Sequence, residues 1–164
     1  MKKLSLIIIS LLFIVPLTYA QTSHLFIGKV FDNGNKLEGA EVSVYRGNKK
    51  VSKYVTKGNG KFLFFAIPEV EYVIEVAKEG YLAKRIIVDT DNTYGLDRKP
   101  KKFKFDLELD RDSKKNREKA IDLPVAYIKY NAENNAYQHS LKYAQSLELG
   151  HEETIRNVLA ELEK

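Results

Sequence analysis

The sequence predicts an all-β fold: a seven-strand antiparallel β-sandwich of Greek-key type, followed by a short extended arm and two C-terminal α-helices. Three observations carry this expectation. Side chains alternate between apolar and polar with a period of two from His24 to about Leu109. Clusters of Gly, Asn and Asp interrupt the alternation at hairpin-length intervals. Helical periodicity is missing until the C-terminal third.

The first strand sets Leu25, Ile27 and Lys29 against Phe26, Gly28 and Val30, and ends in Asp32-Asn33-Gly34-Asn35. Ala40, Val42 and Val44 with their polar neighbours form a second, closed by Arg46-Gly47-Asn48-Lys49. Val51 to Thr56 is a third, and Gly58-Asn59-Gly60 follows as a tight turn. Lys61 to Ala66 is a fourth, apolar at nearly every position, which predicts a central place in its sheet. In the fifth, Tyr72, Ile74 and Val76 alternate with Val73, Glu75 and Ala77; Gly80 breaks it, and Tyr81 to Val88 is the sixth. The seventh has the cleanest alternation, with Phe103, Phe105, Leu107 and Leu109 against Lys102, Lys104, Asp106 and Glu108. The polar stretch Asp89 to Pro100 before it reads as a cross-over or a loop.

These residues carry a resemblance. Gly28 and Val30, Gly39-Ala40, Gly58-Asn59-Gly60-Lys61-Phe62, Tyr72 with Val76, and Gly80-Tyr81 follow one another as in the carboxypeptidase regulatory-like (transthyretin-like) domain family. The chain resembles that family over residues 24–109 and departs from it at Thr56-Lys57, where the family often has Thr-Asp. The resemblance implies a β-sandwich with a structural or binding role, since members of the family are mostly accessory modules.

Residues 111–122 read as a charged linker and 123–164 as a C-terminal extension. Leu123 to Tyr130 alternates as a short strand or arm, with Pro124 favouring an edge. Tyr137, Leu141 and Ala144 have helical spacing after Asn134 and Asn135, and Gly150 supplies a stop signal. A last helix then sets Ile155, Val158, Leu159 and Leu162 on one stripe.

Residues 1–20 have the layout of a secretory signal peptide: Lys2 and Lys3, an apolar run from Leu4 to Val15, then Thr18 and Ala20 before Gln21. That run falls short of the ~20 residues needed to span a bilayer. Cleavage there lowers the formal charge from +5 to +3 and leaves residues 21–110 as the sandwich domain. The expected location is therefore periplasmic or extracellular. The chain has no cysteine, which excludes disulfides, thiol catalysis and a lipid-modified N-terminus.

Little in the sequence points to chemistry. His151-Glu152 begins a zinc-binding His-Glu-x-x-His helix, but Ile155 stands at the second histidine's place. The loop from Asp89 to Gly95 offers oxygen ligands, yet Tyr94 and Pro100 occupy positions where a calcium loop needs Gly and Glu. Arg98, Lys99, Lys101, Lys102 and Lys104 make a basic cluster interleaved with Phe103 and Phe105, but alternation turns those rings inward, away from any nucleic acid. No nucleophile elbow, phosphate loop or dinucleotide motif occurs. No metal, cofactor or enzymatic activity is expected.

The expected function is that of an exported, non-enzymatic binding or scaffolding module of the bacterial cell envelope, with an envelope protein as partner and at most a peripheral relation to the membrane. A carbohydrate-binding β-sandwich is the alternative. Tyr127, Tyr130, Tyr137 and Tyr143 are the candidate contact residues, because tyrosine joins apolar area to a polar tip; packing of the tail onto the sandwich is the competing reading. The oligomeric state stays open.

Overall fold

A computed structural model describes residues 23–93, 100, 102–120 and 122–162, with the side chains at 119, 151 and 154–162 outside the description. The predicted signal segment therefore lies outside the described residues, as do Tyr94, Arg98, Lys99 and Lys101. The chain is an all-β sandwich of two sheets, ten strands in all among the described residues, with two helices in its C-terminal part.

The first sheet contains β1 (His24–Asp32), β2 (Asn35–Lys36), β5 (Lys61–Ala66) and β8 (Phe103–Glu108). Its centre is β1, which pairs antiparallel with β2 and β5 and parallel with β8. The second sheet contains β3 (Glu41–Arg46), β4 (Lys49–Val55), β6 (Glu71–Ala77), β7 (Lys84–Asp89), β9 (Ala126–Asn131) and β10 (Ala136–His139). Its spatial order is β10-β9-β7-β6-β3-β4, and β9 lies parallel to β7. The seven long strands expected up to Leu109 are all present, although one pairing among them, β1 with β8, is parallel rather than antiparallel, as is that of β7 with β9 of the extension. β7 and β8 belong to different sheets, so the chain passes from one sheet to the other between them, the first of the two readings its polar stretch allowed.

Alternation decides which side chains meet between the sheets. On β1, Phe26 and Val30 are fully buried while Leu25, Ile27 and Lys29 lie on the outer face. Phe26 stacks on Phe64 at 4.9 Å, and Val42, Val44, Ile74, Val76, Ile86 and Val88 close the core from the second sheet. Gly28 sits opposite Phe62 on one side and Phe105 on the other, and those two rings meet edge-on at 5.7 Å. A Cβ at Gly28 would lie 2.2 Å from Phe62 Cζ, so the glycine is required by close approach.

The fourth predicted strand departs from expectation. Lys61 to Ala66 is β5, and it pairs only with β1, at the edge of its sheet. Its run of apolar residues reflects an inner face of Phe62, Phe64 and Ala66 and an outer face on which Leu63 and Phe65 are exposed.

The C-terminal part also differs from its reading. The linker contains a short helix α1 (Lys114–Lys119), whose N-cap Ser113 accepts a bond from the Asn116 amide. The arm is β9, and Asn134-Asn135 is not a helix cap but the tip of the β9–β10 hairpin, with Asn135 at φ 49°. Tyr137 consequently lies on a strand. The two helices expected around Gly150 are one, α2 (Leu141–Leu162), which starts at Ser140, whose hydroxyl accepts from the Tyr143 amide at 3.3 Å. Gly150 does not stop it. The stripe at 155–162 falls on side chains outside the description. Ile128 and Tyr137 belong to the core, with 0% and 5% of their surface exposed, so the extension is part of the sandwich.

Two outcomes follow. Gly28→Ala should lower stability by about 1–3 kcal/mol through overpacking against Phe62, measured by urea denaturation. Truncation after Asp112 should abolish a cooperative transition at the full-length midpoint, because it strips Ile128 and Tyr137 from the core; an unchanged midpoint would place the tail outside it.

Candidate binding groove

The four tyrosines singled out in the sequence are brought together in two pairs on opposite faces of β9. Tyr127 points outward, its ring 5.7 Å from that of Tyr143 on α2. Tyr130 packs against the core, its ring 5.8 Å from that of Tyr137. Each hydroxyl has an internal partner. Tyr127 donates to Asp89 Oδ2 at 2.7 Å and Tyr143 donates to the Pro124 carbonyl at 2.7 Å. Tyr130 donates to Asn135 Oδ1 at 3.0 Å, and the Tyr137 hydroxyl shares a hydrogen bond with buried His24. Burial raises the pKa of Tyr127, Tyr137 and Tyr143 above the ordinary phenol value, and the Asp89 carboxylate adds to the rise at Tyr127. Tyr127 and Tyr137 thus fasten the tail to the sandwich through Asp89 and His24, while the Tyr130 and Tyr143 hydroxyls bond within the tail.

That fastening creates a groove. Because β9 runs parallel to β7, the Val125 amide donates to the Arg85 carbonyl at 2.7 Å and lays residues 122–125 beside the start of β7. The space between them has a volume of ≈ 470 Å³. Leu82 and Ala83 line one wall, Leu123, Pro124 and Val125 another, and Leu147 of α2 contributes from above. Leu123 and Val125 stay exposed although both are apolar. Charges at the rim are paired: Lys84 lies 2.8 Å from Asp110, and Arg85 bonds Asp122. The groove therefore presents apolar side chains bordered by both signs of charge.

One polar cluster holds the groove's far wall in place. Arg111 donates from Nη2 to Asp32 Oδ2 at 2.7 Å and from Nε at 3.2 Å, while the Tyr81 hydroxyl donates to the same oxygen at 2.9 Å. The Leu82 amide donates to the Asp110 carbonyl and the Asp112 amide to the Gly80 carbonyl, each at 2.8 Å. Gly80-Tyr81 thus turns back over the core edge. The Arg111 hydrogen bonds first, and that of Tyr81 second, hold the Asp32 carboxyl below the ordinary carboxylate range.

Among the described residues no group of three or more His, Cys, Asp or Glu side chains is placed to hold a metal ion. Asp89, Asp91 and Glu69 do approach one another, and the Asp89 charge, followed by burial and the Glu69 charge, raises the pKa of Asp91. No helix among the described residues is long and apolar enough to cross a membrane.

No protein family profile and no curated protein matches the chain. Solved structures do. The 3-chlorocatechol 1,2-dioxygenase of Rhodococcus opacus 1CP is 16% identical, over 58% of this chain and 62% of its own, with a TM-score of 0.42. The catechol 1,2-dioxygenase of Acinetobacter sp. ADP1 is 14% identical over 66% and 59%, with a TM-score of 0.43. A pilus 2b backbone protein of group B streptococcus is 14% identical over 57% and 43%, with a TM-score of 0.38. The chain spans less than two thirds of each. Likeness of this degree transfers no ligand, activity or partner. It does correct one expectation. Enzymes are among the chains that share this much backbone, so a sandwich body is no ground for expecting a non-enzymatic chain, and that expectation is withdrawn.

The Asp32 cluster has a pH signature. A carboxyl with a lowered folded pKa contributes stability above its unfolded value and loses that contribution as pH falls through the folded one. The melting-temperature gap between wild type and Asp32→Asn should therefore be present at neutral pH and close below about pH 4. A gap that persists unchanged into acid would show that the carboxylate's charge contributes nothing.

Proposed function

We propose that the chain is an exported binding or scaffolding module of the bacterial cell envelope, whose partner seats in the groove between β7 and the C-terminal extension. The observation that carries this reading is the groove itself, where Leu123 and Val125 are left exposed in a concave site whose charges are already paired. An apolar side chain of a partner would fill it, and the paired rim would favour a partner segment with polar groups on either side. The signal-peptide layout of residues 1–20 supports export, and the resemblance to carboxypeptidase regulatory-like domains supports an accessory role. The carbohydrate alternative is less favoured, since the four tyrosines that would form its platform have their hydroxyls engaged inside the fold.

Capture from envelope extracts tests the reading. The chain from Gln21 and a Val51→Ser control, altered on the distant strand β4, should retain the same protein. The pair Leu123→Ser and Val125→Ser should lose it by about tenfold or more, the scale of a hot-spot truncation. Equal capture by all three, or none above background, would refute a groove-bound partner.

A further inference from the structure

The outer face of the first sheet carries a second feature, on the layer opposite the groove. Register places Leu25 opposite Phe65 and Ile27 opposite Leu63, so four apolar side chains form one block on a face turned away from the core. Phe65 is 58% exposed and Leu63 47%. The block spans the edge strand β5 and the first half of the central strand β1.

Lysines border it, and Asp106 stands on the same face opposite Lys29, one step further from the block than Lys104. Lys29 and Lys61 face each other across β1 and β5 directly beyond Ile27 and Leu63. Lys104 lies opposite Ile27 on the other flank, and Lys102 is exposed just before β8. None of these four lysines takes part in an ion pair among the described residues, whereas Lys50, Lys53 and Lys84 elsewhere on the sandwich do.

We propose that this face docks onto the surface of an anionic phospholipid bilayer. Charge complementarity and shape favour that occupant. The face is a sheet surface, and none of its residues lines the groove beside β7 or the hollow around Gln138 to Lys142. Its cations are all lysines, flexible point charges that suit a diffuse layer of phosphates better than one fixed carboxylate. Their stems can lie along the apolar block while the ammonium groups reach the headgroups. Leu63 and Phe65 then enter the boundary between headgroup and acyl chain, giving two weak signals that act together. This goes beyond the groove reading and does not depend on it.

Co-sedimentation of the chain from Gln21, which keeps every described element, with phosphatidylglycerol-containing and pure phosphatidylcholine vesicles tests the proposal. Wild type should bind the anionic vesicles, and less so as salt rises. Leu63→Ser with Phe65→Ser should reduce partitioning about tenfold or more, and Lys61→Glu with Lys104→Glu should remove the preference for anionic lipid. Val55→Ser, equally exposed at 58% on the other sheet, should bind as wild type does, as should the groove pair Leu123→Ser and Val125→Ser. Thermal melts establish that each variant is folded. Absent wild-type binding, or binding unchanged by both variant pairs, overturns the proposal. So does a dimer in analytical ultracentrifugation that the Leu63→Ser and Phe65→Ser pair dissolves without any vesicle binding, for then a second copy covers the face.

Discussion

The parallel docking of β9 onto β7 is the contact on which the C-terminal third depends. It joins segments that lie some forty positions apart and extends the second sheet beyond β7. Ordering that much chain has a large entropic cost, of order 1–2 kcal/mol per residue for backbone alone. Ladder bonds cannot offset this, because they largely replace bonds to water. Burial does most of the offsetting: Ile128 and Tyr137 enter the core completely or nearly so, and Tyr130 packs beside them. The hairpin partner β10 then carries Tyr137 beneath His24, which ties the end of the tail to the beginning of β1. One strand pairing thereby turns an extension into part of the body and leaves a groove at the seam.

A different constraint governs the first sheet. Its middle strand lies between Phe62 and Phe105, and only a residue without a side chain leaves room for the Phe62 ring. Around it the sheet is narrow, with β5, β8 and the short β2 each pairing only with β1. Edge strands ordinarily carry charges or breaks that discourage pairing with other molecules. On β8 the outward residues Lys104, Asp106 and Glu108 meet that rule. On β5 only Lys61 does, and Leu63 and Phe65 break it. An apolar outer face on one edge and a charged one on the other is an asymmetry that core packing does not require.

The strands up to Leu109 were legible because alternation is local: each run carries its own record of which side chains face inward. The position of a strand in its sheet is not local, and there the reading of Lys61 to Ala66 failed. Apolar residues on both faces signal burial on both faces only when something covers the second one, and Leu63 and Phe65 are about half exposed. Tyr137, Leu141 and Ala144 misled for a related reason. Their helical spacing is real, but it straddles the junction at Ser140, where a strand ends and α2 begins. Asn134-Asn135 suits a hairpin tip as well as a helix cap, since asparagine tolerates positive φ and also accepts amide bonds. The groove left no signal in the sequence. It arises from the parallel register of two segments whose separate patterns say nothing of each other.

The tyrosines show how an expectation about contact residues becomes one about architecture. A chain without cysteine cannot cross-link a tail to its body. A ring with a polar tip is the next best fastening, for it buries area and fixes orientation with one hydrogen bond. Tyr143 does this for α2, its ring against Tyr127 and its hydroxyl on the Pro124 carbonyl. That bond joins the helix to the same residues, 123–125, that form a wall of the groove, while Leu147, one turn further along α2, closes the groove from above. Leu149, two residues further on, is exposed. The shape of the groove therefore depends on the turn of α2 that Tyr143 fastens, so a change at Tyr143 would act on the groove without touching its lining.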